Sequence, residues 1–153
     1  MAGLAENLSL ALARGDCESI DSTWEAMWAG AARDASLRIG AEAMLRGLPL
    51  DLLHELVVTP GHHVHQEVAF EIQQRADPTS LPVVTRILDT GFEYLAYTCS
   101  KDRTIAKWFG HILTRIGTPE AVAMVQVYAR SDNSGIAEEM QYRLRRIGQQ
   151  VAS

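Results

Sequence analysis

The chain has 153 residues, enough for one domain that buries well over half of the surface its unfolded form would expose. Hydrophobic residues make up 47% of it and charged residues 22%, which is typical of a folded globular protein and excludes a disordered chain. The formal net charge of -5 argues against sequence-independent nucleic-acid binding, because a face that neutralises phosphates needs a basic surplus.

The two cysteines and the N-terminus predict where the protein works. Cys17 and Cys99 are far apart and match no metal-binding or redox spacing, which predicts reduced thiols. No basic segment followed by an apolar core opens the chain, so no secretory signal is expected. No apolar run approaches the roughly 18 to 20 residues that a membrane-spanning helix needs. We therefore expect a cytoplasmic protein with no membrane partner.

Residues 1–48 are predicted to form helices that cap one end of the fold. An apolar helical stripe begins at Leu4 and stops at Gly15. Asp16 can cap a second helix, in which apolar residues recur at three- and four-residue spacing. Residues 35–46 are apolar nearly all round, which predicts a third helix that is buried on two sides.

Beyond this point the helical pattern repeats. Pro49, Pro78 and Pro119 each follow the end of one helix and open the next, a position where the missing proline N–H costs nothing. Helix pairs that recur every roughly 30 to 45 residues are typical of an α-solenoid, in which neighbouring repeats supply the core that no single repeat can bury. The interval between the last two prolines is longer, and the excess falls in an aromatic insertion at residues 91–102.

These patterns predict the fold class. A β or α/β fold is not expected, because the few β-branched clusters lie within helical periods. We expect an all-α protein of about nine helices, a right-handed α-solenoid of stacked antiparallel helix pairs. It would form a single domain over residues 1–153, with the clearer repeats in residues 49–148.

Several short sequence runs within residues 65–121 have the pattern of a helical repeat. Residues 65–72 have the sequence HQEVAFEI and residues 76–82 the sequence ADPTSLP. A helix end, an Asp-Pro turn and an apolar pair that opens the next helix together resemble a HEAT repeat. Residues 92–97 (FEYLAY), with AKW at 106–108 and GTPEA at 117–121, are similar to small bacterial HEAT-like proteins. Several such proteins are immunity proteins, which bind and neutralise a cognate toxin, and HEAT repeats mostly make binding surfaces.

Periodicity predicts one binding surface. With the helices at 64–75, 105–116 and 136–147 in register, one stripe is apolar core and a mixed aromatic, acidic and arginine face lies beside it. Such a face is typical of a protein interface, although Phe70 and Trp108 could instead pack on a neighbouring helix. The aromatic insertion could likewise bind a partner or cover the core. The predicted partner-binding residues are Glu67, Phe70, Glu71, Phe92, Glu93, Tyr94, Tyr97, Trp108, His111, Glu138 and Tyr142.

The densest candidate for a metal cluster combines His62, His63 and His65 with Glu67, since imidazole and carboxylate are common ligands. Iron-dependent hydroxylases built on HEAT repeats bring a His-Glu pair from each repeat. Here the pair is interrupted, and the next repeat has no counterpart, so neither a metal nor another cofactor is expected. We expect His65 to be buried and hydrogen-bonded, and His62 and His63 to lie in a solvated turn.

The remaining enzyme classes lack their motifs. The sequence has no glycine-rich phosphate loop, no nucleophile elbow and no cysteine in a nucleophile's setting. HEAT-like DNA glycosylases would need a basic concave face. In the last helix, Arg143, Arg145 and Arg146 are explained as easily by the favourable effect of cations near a helix C-terminus.

The resemblance thus implies a protein that works by binding a protein partner, in its sharpest form an immunity protein against a cognate toxin. The alternatives are a HEAT-like enzyme, either a metal-dependent hydroxylase or a bilin lyase, and a general assembly scaffold. The oligomeric state is open. Acidic side chains would complement a basic effector and choose the partner. They are Glu67, Glu71, Glu93, Glu138 and Glu139.

Overall fold

The structure, a computed structural model, describes residues 3–33 and 46–152. Within these ranges the chain is helical and contains no β-strand, which confirms the all-α class for the described part. The helix expected at residues 35–46 lies, except for its last residue, outside the described residues. The eight α-helices of the described ranges are α1 (Leu4–Arg14), α2 (Cys17–Arg33), α3 (Leu50–Val58), α4 (His65–Arg75), α5 (Leu81–Thr90), α6 (Asp102–Ile116), α7 (Pro119–Tyr128) and α8 (Ser134–Ala152). Two 3₁₀ helices cover Pro78–Ser80 and Glu93–Thr98.

The helix ends follow local sequence signals. Gly15 adopts the left-handed conformation with φ 67° and closes α1 through its N–H. The Asp16 carboxylate then accepts the Ser19 N–H at 3.1 Å, which caps α2 as expected. Asp77 caps the first 3₁₀ helix, and the Thr118 hydroxyl accepts an amide in the first turn of α7. These ends need no tertiary contact, because each cap satisfies backbone groups within its own segment.

One expected helix end is wrong. The sequence suggests equivalent ends at Gly117 and Gly148, and Gly117 does close α6 with φ 65°. In contrast, α8 continues through Gly148 to Ala152. Glycine inside a helix costs only about 1 kcal/mol relative to alanine and does not stop a helix by itself. Gly117 is followed by the capping residue Thr118 and by Pro119, which open the next helix, whereas Gly148 has no such residues after it. This explains why one helix ends and the other continues.

The chain divides into two compact units, Met1–Glu71 and Ile72–Ser153, with the boundary inside α4. The single domain expected from the sequence stays a prediction. In the first unit, α1 packs against α2 and α3. Apolar side chains from all four helices and the segment before α4 are buried there. They include Leu8, Ile20, Leu52, Leu53, Leu56, Val57, Val64 and Val68.

In the second unit, α5 lies beside α7 and runs parallel to it. The Thr85 hydroxyl donates to the Met124 sulfur at 3.6 Å, and one turn later the Tyr128 hydroxyl donates to the Asp89 carboxylate at 2.6 Å. Both contacts join residues 39 positions apart, so positions advance in the same direction along both helices.

The pair α6 and α8 is also parallel. At its start, the Asn133 amide donates to the Asp102 carboxylate at 2.8 Å, and further along Arg143 reaches His111 at 3.2 Å. The two helices approach most closely at Gly135, where a Cβ atom would lie 2.6 Å from a backbone nitrogen of α6. A side chain at this position would push the helices apart.

The apolar stripe predicted from the aligned helices is confirmed in this unit. Ile105 and Ile136, like Phe109 and Met140, occupy equivalent positions and are at most 1% exposed. Helix α7 packs against both α6 and α8 and completes this core. Among the described helices, none has the length and apolar composition to cross a bilayer.

The close approach at Gly135 leads to a stability prediction. Gly135→Ala should lower the free energy of unfolding by roughly 1 to 3 kcal/mol, because the new methyl group meets backbone that cannot rotate away. Gly148→Ala in the same helix is the matched control, since nothing lies within 4 Å of its added Cβ. The control should stabilise the protein by up to about 1 kcal/mol. Urea unfolding of both variants checks this, and equal effects would contradict the close approach.

Candidate functional site

The predicted partner-binding residues differ in exposure. Glu71 and Phe92 are buried at 7% and 5% exposure, so they offer little surface to a partner. The half-buried residues are Glu67, Tyr94, Trp108 and His111. The exposed ones are Phe70, Glu93, Tyr97, Glu138 and Tyr142.

The aromatic insertion at residues 91–102 contains the 3₁₀ helix Glu93–Thr98. The Phe92 ring stacks on Phe109 of α6, with ring centroids 6.0 Å apart, and Leu95 is fully buried. Tyr97 remains 37% exposed on the outside. The insertion therefore covers part of the core with some of its residues and presents others to solvent, which combines the two alternatives left open by the sequence.

Tyr94 of this 3₁₀ helix is half-buried. Burial raises the pKa of its hydroxyl well above the usual range, the neighbouring Tyr97 adds to the effect, and Arg86 acts in the opposite direction. The hydroxyl consequently stays protonated at physiological pH, where it can donate and accept hydrogen bonds but carries no charge.

The strongest polar constellation in the second unit joins α6 to α8. Arg143 is only 8% exposed, and its Nε and Nη2 atoms donate to the same Glu139 oxygen at 2.9 and 2.8 Å. Nη2 also donates to His111 Nε2 at 3.2 Å. The guanidinium carbon lies 5.2 Å from the centroid of the Tyr142 ring. We call Glu139, Arg143, His111 and Tyr142 the arginine cluster.

The contact with Arg143 defines the protonation state of His111. Because guanidinium can only donate, His111 Nε2 must accept, which leaves the imidazole neutral with its proton on Nδ1. Burial is the main cause that lowers the pKa of His111, and the positive charges of Arg143 and Lys107 lower this pKa further. The negative charge of Glu139 raises it and opposes them. The histidine is a neutral acceptor that holds the guanidinium in place.

The sequence did not single out this cluster as a unit. Glu139 and Arg143 have the i, i+4 spacing of a helical ion pair, which was the available signal. The Arg143 side chain passes over Gly110, where a Cβ would lie 3.4 Å from it. The link to His111 joins residues 32 positions apart, and only packing of the two helices could reveal it.

Two acidic residues expected to complement a basic effector are not available for that role. Glu139 is 3% exposed and its carboxylate is bound by Arg143, while Glu71 is 7% exposed. The expectation treated every acidic side chain beside the apolar stripe as solvated, whereas these two are buried. Glu138 is exposed but lies 3.5 Å from Arg103, and Glu93 is exposed in the insertion.

In the first unit, His62 and His65 form a buried stacked pair with ring centroids 3.8 Å apart. His62 Nε2 donates to the Leu56 carbonyl at 2.7 Å while its Nδ1 accepts the Val64 N–H at 3.2 Å. His65 Nε2 donates to the Thr59 carbonyl at 2.7 Å. The burial expected of His65 is confirmed, but the solvated turn expected for His62 is wrong, because its ring fills the core and satisfies local backbone groups.

His63, in contrast, is exposed and attaches its segment to α2. Its backbone N–H and its ring Nδ1 both lie 2.6 Å from the Asp21 carboxylate. Beside it, Gly61 adopts φ 104° and lies so close to Cys17 that a Cβ would be 2.9 Å from the sulfur. The three histidines therefore point to different partners, and this segment is built for packing.

This geometry disfavours a metal site at the histidines. His62 and His65 direct Nε2 at backbone carbonyls. In the ranges that the structure describes, no group of three His, Cys, Asp or Glu side chains could hold a metal ion. One oxygen of Glu67 is buried without a hydrogen-bond partner, and burial raises the pKa of this carboxyl.

Comparison with known proteins identifies no relative. No protein-family model matches the chain, and neither a curated protein nor a solved structure is significantly similar to it.

Proposed function

We propose that the chain is a protein-binding module built as a short HEAT-like α-solenoid. Support for the solenoid comes from the second unit, where α5 runs parallel to α7 at an offset of 39 residues. Helix α6 runs parallel to α8 at offsets of 31 and 32 residues. Consecutive helix pairs that stack in the same direction bury the core of a helical-repeat protein.

The binding function rests above all on the surface of α6 and α8. Tyr142 is 37% exposed, and its ring contacts an Arg143 side chain that Glu139 and His111 hold in place. Tyrosine is among the side chains that most often dominate interface energetics, and the buried Arg143 supports its ring. Binding here would cost this chain little side-chain entropy, because the arginine cluster is ordered before contact.

In its most specific form, the proposal is an immunity protein that acts in the bacterial cytoplasm against a cognate toxin. The resemblance to small bacterial HEAT-like proteins supports it, together with a sequence that carries no catalytic motif. A basic effector was expected from the whole-chain charge of -5. The charge of helices α6 and α8 has the opposite sign.

Co-expression with the product of the adjacent gene tests the proposal. That product should arrest growth alone, and this chain should restore growth and co-purify with it. Tyr142→Ala should weaken the complex by roughly 2 kcal/mol, or about thirtyfold in Kd, if the ring is an anchor. Val127→Ala is the matched control, because it removes a 65% exposed apolar side chain from α7 instead.

Two results would count against the proposal. If the adjacent product is harmless alone and forms no stable complex with this chain, the immunity function fails. If a complex forms and Tyr142→Ala binds as tightly as the wild type, the surface of α6 and α8 is not the contact.

A further inference from the structure

Charge is unevenly distributed along the chain. Helices α6 and α8 together carry six basic and three acidic residues, whereas the rest of the sequence carries eight basic and 16 acidic residues. The two helices are therefore a basic region in a protein of net charge -5. Arg143 is buried, and the other five basic residues are exposed on two helices that lie side by side in parallel.

The acidic residues of these two helices are engaged within the structure. Glu139 is bound by Arg143, and Arg103 lies 3.5 Å from Glu138. The Asp102 carboxylate accepts the Asn133 amide. Arg103 is thus paired, whereas the other exposed cations of the two helices have no ion-pair partner among these acidic residues.

Three of these cations lie along the two helices at the level of the arginine cluster. Lys107 and Arg115 are exposed one turn before and one turn after His111, and Arg146 is exposed one turn after Tyr142. Lys107 and Arg115 are about 12 Å apart along the helix axis. Among the described residues, none forms an ion pair with any of the three.

The helix dipole explains only part of this arrangement. Arg115 lies in the last turn of α6, where a cation is favoured by the C-terminal end of the dipole. Helix α8 continues to Ala152, so Arg146 lies well before its last turn. Since the dipole effect is confined to that turn, the position of Arg146 calls for another explanation. The sequence-based explanation of the last-helix arginines is therefore insufficient.

We propose that Lys107, His111, Arg115, Tyr142 and Arg146, here called the basic face, dock an acidic segment of a protein partner. The proposal rests on the proposed binding function and specifies the chemistry of its partner. Carboxylates of the segment would pair with Lys107, Arg115 and Arg146, and an apolar side chain would pack on the Tyr142 ring. Charge complementarity of this kind accelerates association and selects the partner.

The occupant is a protein segment rather than a nucleic acid. A duplex carries one negative charge per 1.7 Å or so of its axis and extends far beyond a patch of three cations. The surplus of acidic residues elsewhere in the chain would repel so long a polyanion. A short acidic segment places a few charges on the basic face alone and avoids this repulsion.

The experiment is a titration of the ¹⁵N-labelled full chain with a short peptide of Glu and Leu. Amide signals of residues 107–115 and 142–146 should shift, and added salt should weaken the binding. The double variant Lys107→Glu/Arg146→Glu should raise Kd at least about tenfold. The control is Arg14→Glu/Arg130→Glu, which makes the same change in net charge at exposed positions of α1 and of the turn after α7. This control should change Kd less than about twofold. Circular dichroism confirms that each variant is folded.

Other outcomes overturn the inference. These are no shifts in the basic face, equal binding of a Lys and Leu peptide, equal losses in the two double variants, or tighter binding of a single-stranded oligonucleotide to the same residues. Co-purification separates the two proposals. If the peptide maps to the basic face but no complex forms with the adjacent gene product, the proposed function fails and this inference stands. If a complex forms and Lys107→Glu/Arg146→Glu retains full affinity, only the inference fails.

Discussion

Replacement of Arg143 by methionine should lower the free energy of unfolding by about 3 to 5 kcal/mol, because it leaves a buried carboxylate without its partner. Glu139 is 3% exposed, and Arg103 is its remaining cation at the longer distance of 3.7 Å. Methionine keeps the apolar stem that lies over Gly110, so the loss reports mainly on charge and hydrogen bonding. Urea unfolding followed by circular dichroism measures the change.

A double variant separates the contribution of the ion pair to stability from the contribution of side-chain packing. Glu139→Leu/Arg143→Met removes both charges and should recover much of the stability lost in Arg143→Met, since an apolar pair of similar volume avoids desolvation. If the double variant is as unstable as the single one, the loss comes from packing against α6. The same variant should also free the Tyr142 ring, which makes it useful in the binding experiments.

Acid should destabilise the protein between about pH 6.5 and pH 4 through the stacked histidines. Burial, with the neighbouring His62 as the second cause, lowers the pKa of His65 from 6.5 to about 4, and burial also lowers the pKa of His62. In this range the unfolded chain binds protons that the folded chain does not, so stability falls as pH falls. His65 alone would lower the free energy of unfolding by roughly 3 kcal/mol at pH 4 and would not lower it above about pH 7.5.

Urea unfolding at a series of pH values tests this, with His65→Gln as the comparison. Glutamine can keep an amide donor near the Thr59 carbonyl but does not titrate, so the slope of stability against pH should become shallower. The carboxylates contribute equally to the pH dependence of stability in both proteins. The difference between the two slopes therefore reports the contribution of His65. Parallel pH profiles for the two proteins would show that folding does not change the pKa of His65.

Much of the helical organisation could be predicted from the sequence because its signals are local. Asp16 and Thr118 cap helices within three residues, and Pro119 opens α7 where its missing N–H is harmless. The core stripe through Phe109 and Met140 follows from helical periodicity, since burial of one face is the condition for a packed helix. The end expected at Gly148 failed because glycine alone carries no stop signal.

The candidate site was harder to predict, because residue type and helical face do not determine exposure. Glu138 and Glu139 are neighbours in sequence, yet the first is exposed and the second is enclosed by Arg143. His62 and His63 are also adjacent, and one fills the core while the other binds Asp21 at the surface. On α8, a rotation of about 100° per residue places Glu138 and Glu139 in different surroundings, and the packed partner decides which surroundings those are.

The sequence by itself determined that the described chain is helical, where most of its helices begin and end, and which stripe is buried. These properties depend on contacts within a few residues and on the periodic burial of apolar side chains. Only the tertiary structure decided which charges remain exposed. The register of α6 against α8 pairs Arg143 with His111 and leaves Lys107, Arg115 and Arg146 in solvent. That register depends on close packing at Gly135, which lies against residues about thirty positions earlier in the chain.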